Sequence, residues 1–171
     1  MTNKTHISRR GLVAAALGIG IAPGFAPGFA PAFAQGKNAG KPAIEVWKDP
    51  SCGCCQDWVQ HLQDNGFAVK VNESGNSAAR SRLGVDRKFG SCHTGLVGGY
   101  AIEGHVPAQD IKRLLKEKPA AIGLAVPGMP VGSPGMDGPA YENRKDAFDV
   151  LLLTQSGGAK VFQHYAGNTK T

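Results

Sequence analysis

No apolar run in this chain is long enough to stay in a membrane. The one candidate, Leu12 to Ile21, is about half of the ~20 residues a bilayer requires, and Pro23, Pro27 and Pro31 break any extension of it. A strong charge of one sign is also missing. The formal charge is +6, and no basic run is interleaved with aromatics, so the composition does not point to a nucleic-acid partner. Methionine is scarce: apart from the initiator there are only Met129 and Met136. There is no internal repeat, and the cysteines are not spread along the chain as a disulfide scaffold would need.

What is present divides into segments. Lys4, Arg9 and Arg10 precede the short apolar run, and Ala32-Phe33-Ala34 has the shape of a cleavage site, so residues 1–34 read as an export signal. Ser8-Arg9-Arg10-Gly11-Leu12 resembles a twin-arginine motif, which would export the chain already folded; an ordinary secretion signal is the alternative. That segment carries three basic and no acidic residues, so its removal leaves 137 residues and lowers the formal charge to +3. The remainder suffices for one domain with a real core, without a stable membrane anchor. Residues 35–42 read as a flexible leader and 166–171 as a loose tail.

Between them the pattern predicts an α/β unit. Ala43 to Trp47 and Phe67 to Val71 alternate as strands. From Cys55 to Asn65, Trp58, Val59 and Leu62 recur at helical spacing, with Gly66 to end the helix. Ser77 to Leu83 reads as a short helix, Gly95 to Ile102 as a Gly-rich strand and turn, and Pro107 to Lys118 as an amphipathic helix. Residues 119–145 are rich in Pro and Gly and lack periodicity, as functional loops often do. Asp149 to Thr154 and Lys160 to Tyr165 form a closing hairpin around Gly157-Gly158.

The chemistry concentrates at sulfur. Cys52, Cys54 and Cys55 fall within four residues, just after a strand and at the opening of a helix; Cys92 is the fourth cysteine. A helix N-terminus favours thiolate over thiol, and thiolates serve both disulfide exchange and soft metals. A dithiol oxidoreductase working through Cys52 and Cys55 needs only two of these four. A structural zinc site would use four thiolates in a tetrahedron, which the adjacent pair Cys54-Cys55 suits poorly. Several Cu(I) ions suit crowded thiolates, because each sulfur can bridge two metals.

Met129 and Met136 both lie in the irregular loop and are candidate thioethers for a soft metal. His93, beside Cys92, is the best imidazole candidate, as ligand or as support for one. His105 reads as structural or supporting. His61 reads as solvated, His164 carries no argument, and Trp47 and Trp58 read as core residues flanking the cysteine turn.

Residues 94–104 and the helix after Pro107 resemble the latter half of glutaredoxin-like chains. That resemblance implies that Cys92-His93 lies against the cysteine turn, with His93 where those chains carry proline. Taken together, Asp49-Pro50-Ser51-Cys52-Gly53-Cys54-Cys55, Ser91-Cys92-His93-Thr94, Gly104-His105-Val106-Pro107 and the Met129-to-Met136 loop resemble the CopG-type periplasmic copper-resistance proteins, which are unrelated to the plasmid repressor of that name. The resemblance covers residues 43–165. It implies a thioredoxin-like domain with a Pro/Gly/Met-rich loop and C-terminal hairpin, and copper held by Cys52, Cys54, Cys55 and Cys92. Met129, Met136, His93 and His105 match motif positions. It also implies a role in copper tolerance, with interconversion of Cu(I) and Cu(II) and other periplasmic copper-handling proteins as partners.

Overall fold

The computed structural model describes residues 40–168. The signal segment, residues 35–39 of the leader and residues 169–171 of the tail lie outside the described residues.

The first strand, β1 (Ala43–Lys48), alternates as its sequence demands, with Ile44, Val46 and Lys48 turned inward and buried. Helix α1 (Gly53–Asp64) buries Cys55, Trp58, Val59 and Leu62, a spacing of three, four and seven residues that lines one face. It stops at Asn65, whose side chain and backbone N–H both donate to the His61 carbonyl, and Gly66 then turns the chain at φ +86°. Strand β2 (Ala68–Asn72), helix α2 (Ser77–Arg82), strands β3 (His93–Val97) and β4 (Tyr100–Glu103), and helix α3 (Ala108–Glu117) follow. These elements match the order expected from the sequence with ends shifted by one or two residues, except that the single strand and turn expected over Gly95 to Ile102 is a pair of antiparallel strands hinged at Gly98-Gly99.

Among the described residues, the strands form one seven-stranded sheet in the order β2-β1-β3-β4-β5-β6-β7. The hairpin strands β6 (Phe148–Leu153) and β7 (Ala159–Tyr165) join it through β5 (Gly123–Ala125). Strand β5 falls in the segment expected to be irregular. It has only three residues, all buried, so it shows neither alternation nor length to a periodicity argument. It pairs parallel to β4 so closely that a Cβ on Gly123 would stand 1.7 Å from the Ala101 carbonyl oxygen. Only glycine permits that approach.

The sheet is covered on both faces. Ile102 joins the main core with Ile44, Trp58, Leu62, Ile111 and Leu114, whereas its neighbour Ala101 faces a smaller cluster with Val85, Ala125 and Leu153. Trp58 is fully buried, and its Nε1 donates to the Val106 carbonyl at 2.9 Å. Removing such a side chain typically costs about 3–5 kcal/mol.

Strand direction determines where the site forms. The register pairs Lys48 with His93, so the end of β1 lies beside the start of β3. Strand β4 runs antiparallel to β3, pairing Thr94 with Glu103, and β5 runs parallel to β4. The segments after β1, before β3, after β4 and after β5 therefore share one end of the sheet.

Candidate metal centre

At that end, Asp49 shapes the turn leading to the cysteines. Its carboxylate accepts from the Ser51 N–H at 2.8 Å, its carbonyl accepts from the Cys52 N–H at 3.1 Å, and Cys52 becomes the residue before α1. The bonds from Ser51 hold the Asp49 carboxyl below its usual range. Cys52 and Cys55 are joined by a disulfide, with their Cα atoms 5.3 Å apart, and Cys54 and Cys92 are free. Cys54 Sγ lies 3.6 Å from Cys52 Sγ, and Cys55 Sγ lies 3.8 Å from the Cys92 carbonyl oxygen. All four sulfurs fall within 4.8 Å of one another. A residue 37 positions after Cys55 thus completes the cluster, because the Lys48–His93 pairing delivers it there.

Two imidazoles extend the sulfur group. Cys92 Sγ is 3.1 Å from Nε2 of His105 and 3.4 Å from Nδ1 of His93, and these three side chains also converge within 4.8 Å. The Nδ1 of His105 lies 2.8 Å from the Pro134 carbonyl oxygen, which can only accept. That contact puts the proton of His105 on Nδ1 and leaves a lone pair on Nε2, facing the sulfur. Burial pushes the pKa of His105 down and that of His93 well down, so both rings are neutral and able to act as ligands. The Nε2 of His93 is buried with no hydrogen-bond partner. Cys92 is shifted the opposite way: burial, then the charge of neighbouring Cys54, pushes its thiol up to about 11. Without metal, Cys92 is therefore a thiol that donates to a neighbouring imidazole.

The long loop closes over this end. Pro134 holds His105, Ser91 Oγ donates to the Gly128 carbonyl, and Gly128 N–H donates back to the Gly90 carbonyl at 3.1 Å. Gly135 presses on the first turn of α1, where a Cβ would stand 2.5 Å from the Cys54 carbonyl oxygen. Met136 Sδ accepts from Tyr141 Oη at 3.4 Å, while Met129 is 51% exposed.

Of the remaining candidates, only His61 departs from its sequence reading. His105, read as structural or supporting, stands against the Cys92 sulfur. His61, read as solvated, is half-buried and accepts the Ala108 N–H on Nε2 at 3.1 Å, satisfying one of the free donors that begin α3. Trp58 is a core residue that also stacks on the site, its ring 4.1 Å from that of His93. Trp47 lies half-buried under Arg82. His164 pairs with Asp149 in the exposed hairpin.

A buried polar network around Ser91 escaped the sequence reading altogether. Glu103 is fully buried and accepts from Ser91 N–H at 2.7 Å, Arg80 Nε at 2.8 Å and Thr94 Oγ1 at 2.6 Å. Its only signal in the sequence is an acidic residue following Tyr-Ala-Ile in an otherwise apolar strand.

A family profile described as "Protein of unknown function, DUF411" matches residues 89–136, the stretch that carries Cys92, His93, His105 and the loop as far as Met136. Curated proteins gave no match. Two solved structures align over nearly their whole length. "Copper resistance protein copG- Form 2" is 52% identical, covers 73% of this chain and 98% of its own, with a TM-score of 0.67. "Copper resistance protein copG- Form 1" is 51% identical, covers 74% of this chain and 100% of its own, with a TM-score of 0.68. This chain belongs to the CopG family of copper resistance proteins. The sulfur and imidazole groups at the sheet end are this CopG family member's candidate metal centre, combining soft thiol ligands with borderline imidazole nitrogens.

Proposed function

We propose that this protein handles copper in the periplasm, holding Cu(I) on the thiolates of Cys52, Cys54, Cys55 and Cys92 once the Cys52–Cys55 disulfide is reduced. The observation that carries the reading is the convergence of all four sulfurs within 4.8 Å. Sulfurs this crowded bridge metals readily, so the site takes more than one ion. The neutral Nε2 of His105 and the ring of His93 border the same space, and Met129 and Met136 supply thioethers from the covering loop. Residues 43–117 support a thioredoxin-like reading, since β1-α1-β2-α2-β3-β4-α3 with strand order β2-β1-β3-β4 places its cysteine turn after β1. Export through the signal in residues 1–34 accords with a disulfide at the site, since disulfides persist in oxidising compartments.

Interconversion of copper states extends this reading. If Cys52 and Cys55 close from two thiolates to one disulfide, two electrons leave, enough to reduce two Cu(II) to two Cu(I). The Cys52–Cys55 disulfide also favours a second reading, a thiol–disulfide oxidoreductase acting on proteins. The two readings part at Cys54 and Cys92: replacing either with Ser cripples copper loading but spares disulfide exchange.

The test is to purify the mature chain anaerobically from copper-supplemented cells and count metals and free thiols together. Several coppers per chain, with thiols masked until a chelator is added, is the expected result. A metal-free protein with a readily reducible Cys52–Cys55 bond would instead establish the oxidoreductase.

A further inference from the structure

Cys92 lies outside any strand or helix, between the short helical turn Arg87–Phe89 and β3. No ladder of backbone bonds fixes Ser91, yet every polar atom of that residue is engaged. Its N–H donates to Glu103 at 2.7 Å. Its carbonyl accepts from Arg80 Nη2 and from Asn76 Nδ2, the latter at 3.1 Å, and its hydroxyl donates to the Gly128 carbonyl. Arg80 forks between the Ser91 carbonyl and the Glu103 carboxylate, while Asn76 also donates to Thr94 Oγ1 at 3.2 Å, and that hydroxyl donates to Glu103. Helix α2, strand β4 and the long loop thus all grip the residue immediately before Cys92.

A largely buried ion pair is a poor source of stability, since apolar groups of similar volume often serve as well or better. What the Glu103–Arg80 pair does supply is geometry: Arg80 forks from one Glu103 oxygen to the Ser91 carbonyl, a clamp that an apolar pair cannot make. We infer that Glu103, with Arg80, is a positioning residue for Cys92, setting where its sulfur stands by holding the Ser91 backbone. This rests on the reading of Cys92 as a copper ligand. Glu103 itself touches no sulfur and is no ligand; it acts through the chain.

A double-mutant cycle tests this. Cu(I) affinity is measured by chelator competition, under anaerobic reducing conditions, for the wild-type chain and for E103Q, C92S and the double variant. Gln preserves the shape of Glu103 but removes the charge paired with Arg80 and the acceptor facing Thr94. The expected result is a loss of about tenfold for E103Q in the wild-type background, the lower end of what a group supporting a metal ligand is worth. In the C92S background the same change should have almost no effect, because its route to the metal is gone. Equal losses in both backgrounds, or no loss in either, overturn the positioning role and leave the copper site standing. Wild-type affinity in C92S removes the ligand reading and the positioning role together. If E103Q does not fold, Arg80→Lys runs the same cycle, because a lysine cannot fork to both partners.

Discussion

The sulfur of Cys92 stands 3.1 Å from Nε2 of His105, whose Nδ1 donates to the carbonyl of Pro134 at 2.8 Å. The loop thereby chooses the tautomer of this ring, and so decides that a lone pair rather than a proton faces the sulfur. In the metal-free protein that lone pair accepts from the Cys92 thiol; beside a Cu(I) ion it is available as a ligand.

His105→Asn is therefore expected to weaken Cu(I) binding about 10- to 100-fold. Chelator competition measures this, alongside thermal unfolding of the metal-free variant. Unchanged affinity would exclude His105 from the site.

The raised pKa of Cys92 has two consequences. A thiol held at about 11 in the folded chain, against an ordinary value of 9.0, keeps its proton more tightly when folded than when unfolded. Its contribution to stability is fully present below about pH 9 and is lost as the pH rises through 11. Chemical denaturation of metal-free wild type and C92S across that window should show the steeper decline in the wild type. At pH 7, copper binding should also release the Cys92 proton, which calorimetry in buffers of different ionisation enthalpy detects. Parallel stability curves for the two proteins would contradict the assignment.

The disulfide withholds two of the four sulfurs. Protein with the Cys52–Cys55 bond intact is expected to bind at most half as much Cu(I) as the reduced protein, as read by metal analysis after desalting. Equal loading before and after reduction would exclude Cys52 and Cys55 as ligands.

Gly135 tests the closure of the loop. Its φ of +83° disfavours any side chain, and a Cβ there would stand 2.5 Å from the Cys54 carbonyl oxygen and 2.8 Å from the Trp58 nitrogen. Gly135→Ala should cost about 1–3 kcal/mol and expose the cysteine turn. A lower melting temperature and faster alkylation of Cys54 are expected, and normal alkylation would show that the loop does not shield it.

Much of the molecule follows from local pattern. The face of α1 formed by Cys55, Trp58, Val59 and Leu62 is written at a spacing that any amphipathic helix shows, and α3 and the hairpin are legible in the same way. So is the concentration of sulfur at one turn, and with it the soft chemistry of the site. Strand β5 was not legible, being too short to display a period. Glu103 and Arg80 were not either, because a buried ion pair between residues 23 positions apart leaves no local trace.

By itself, then, the sequence determined most of the elements that form and which chemistry is available, since both depend on neighbours a few residues apart. Only the tertiary structure decided which sulfur meets which imidazole, which nitrogen of His105 carries the proton, and what holds Ser91 still. Those outcomes depend on strand register: a one-residue slip in the Lys48–His93 pairing would turn the start of β3 over and carry Cys92 away from the other thiols.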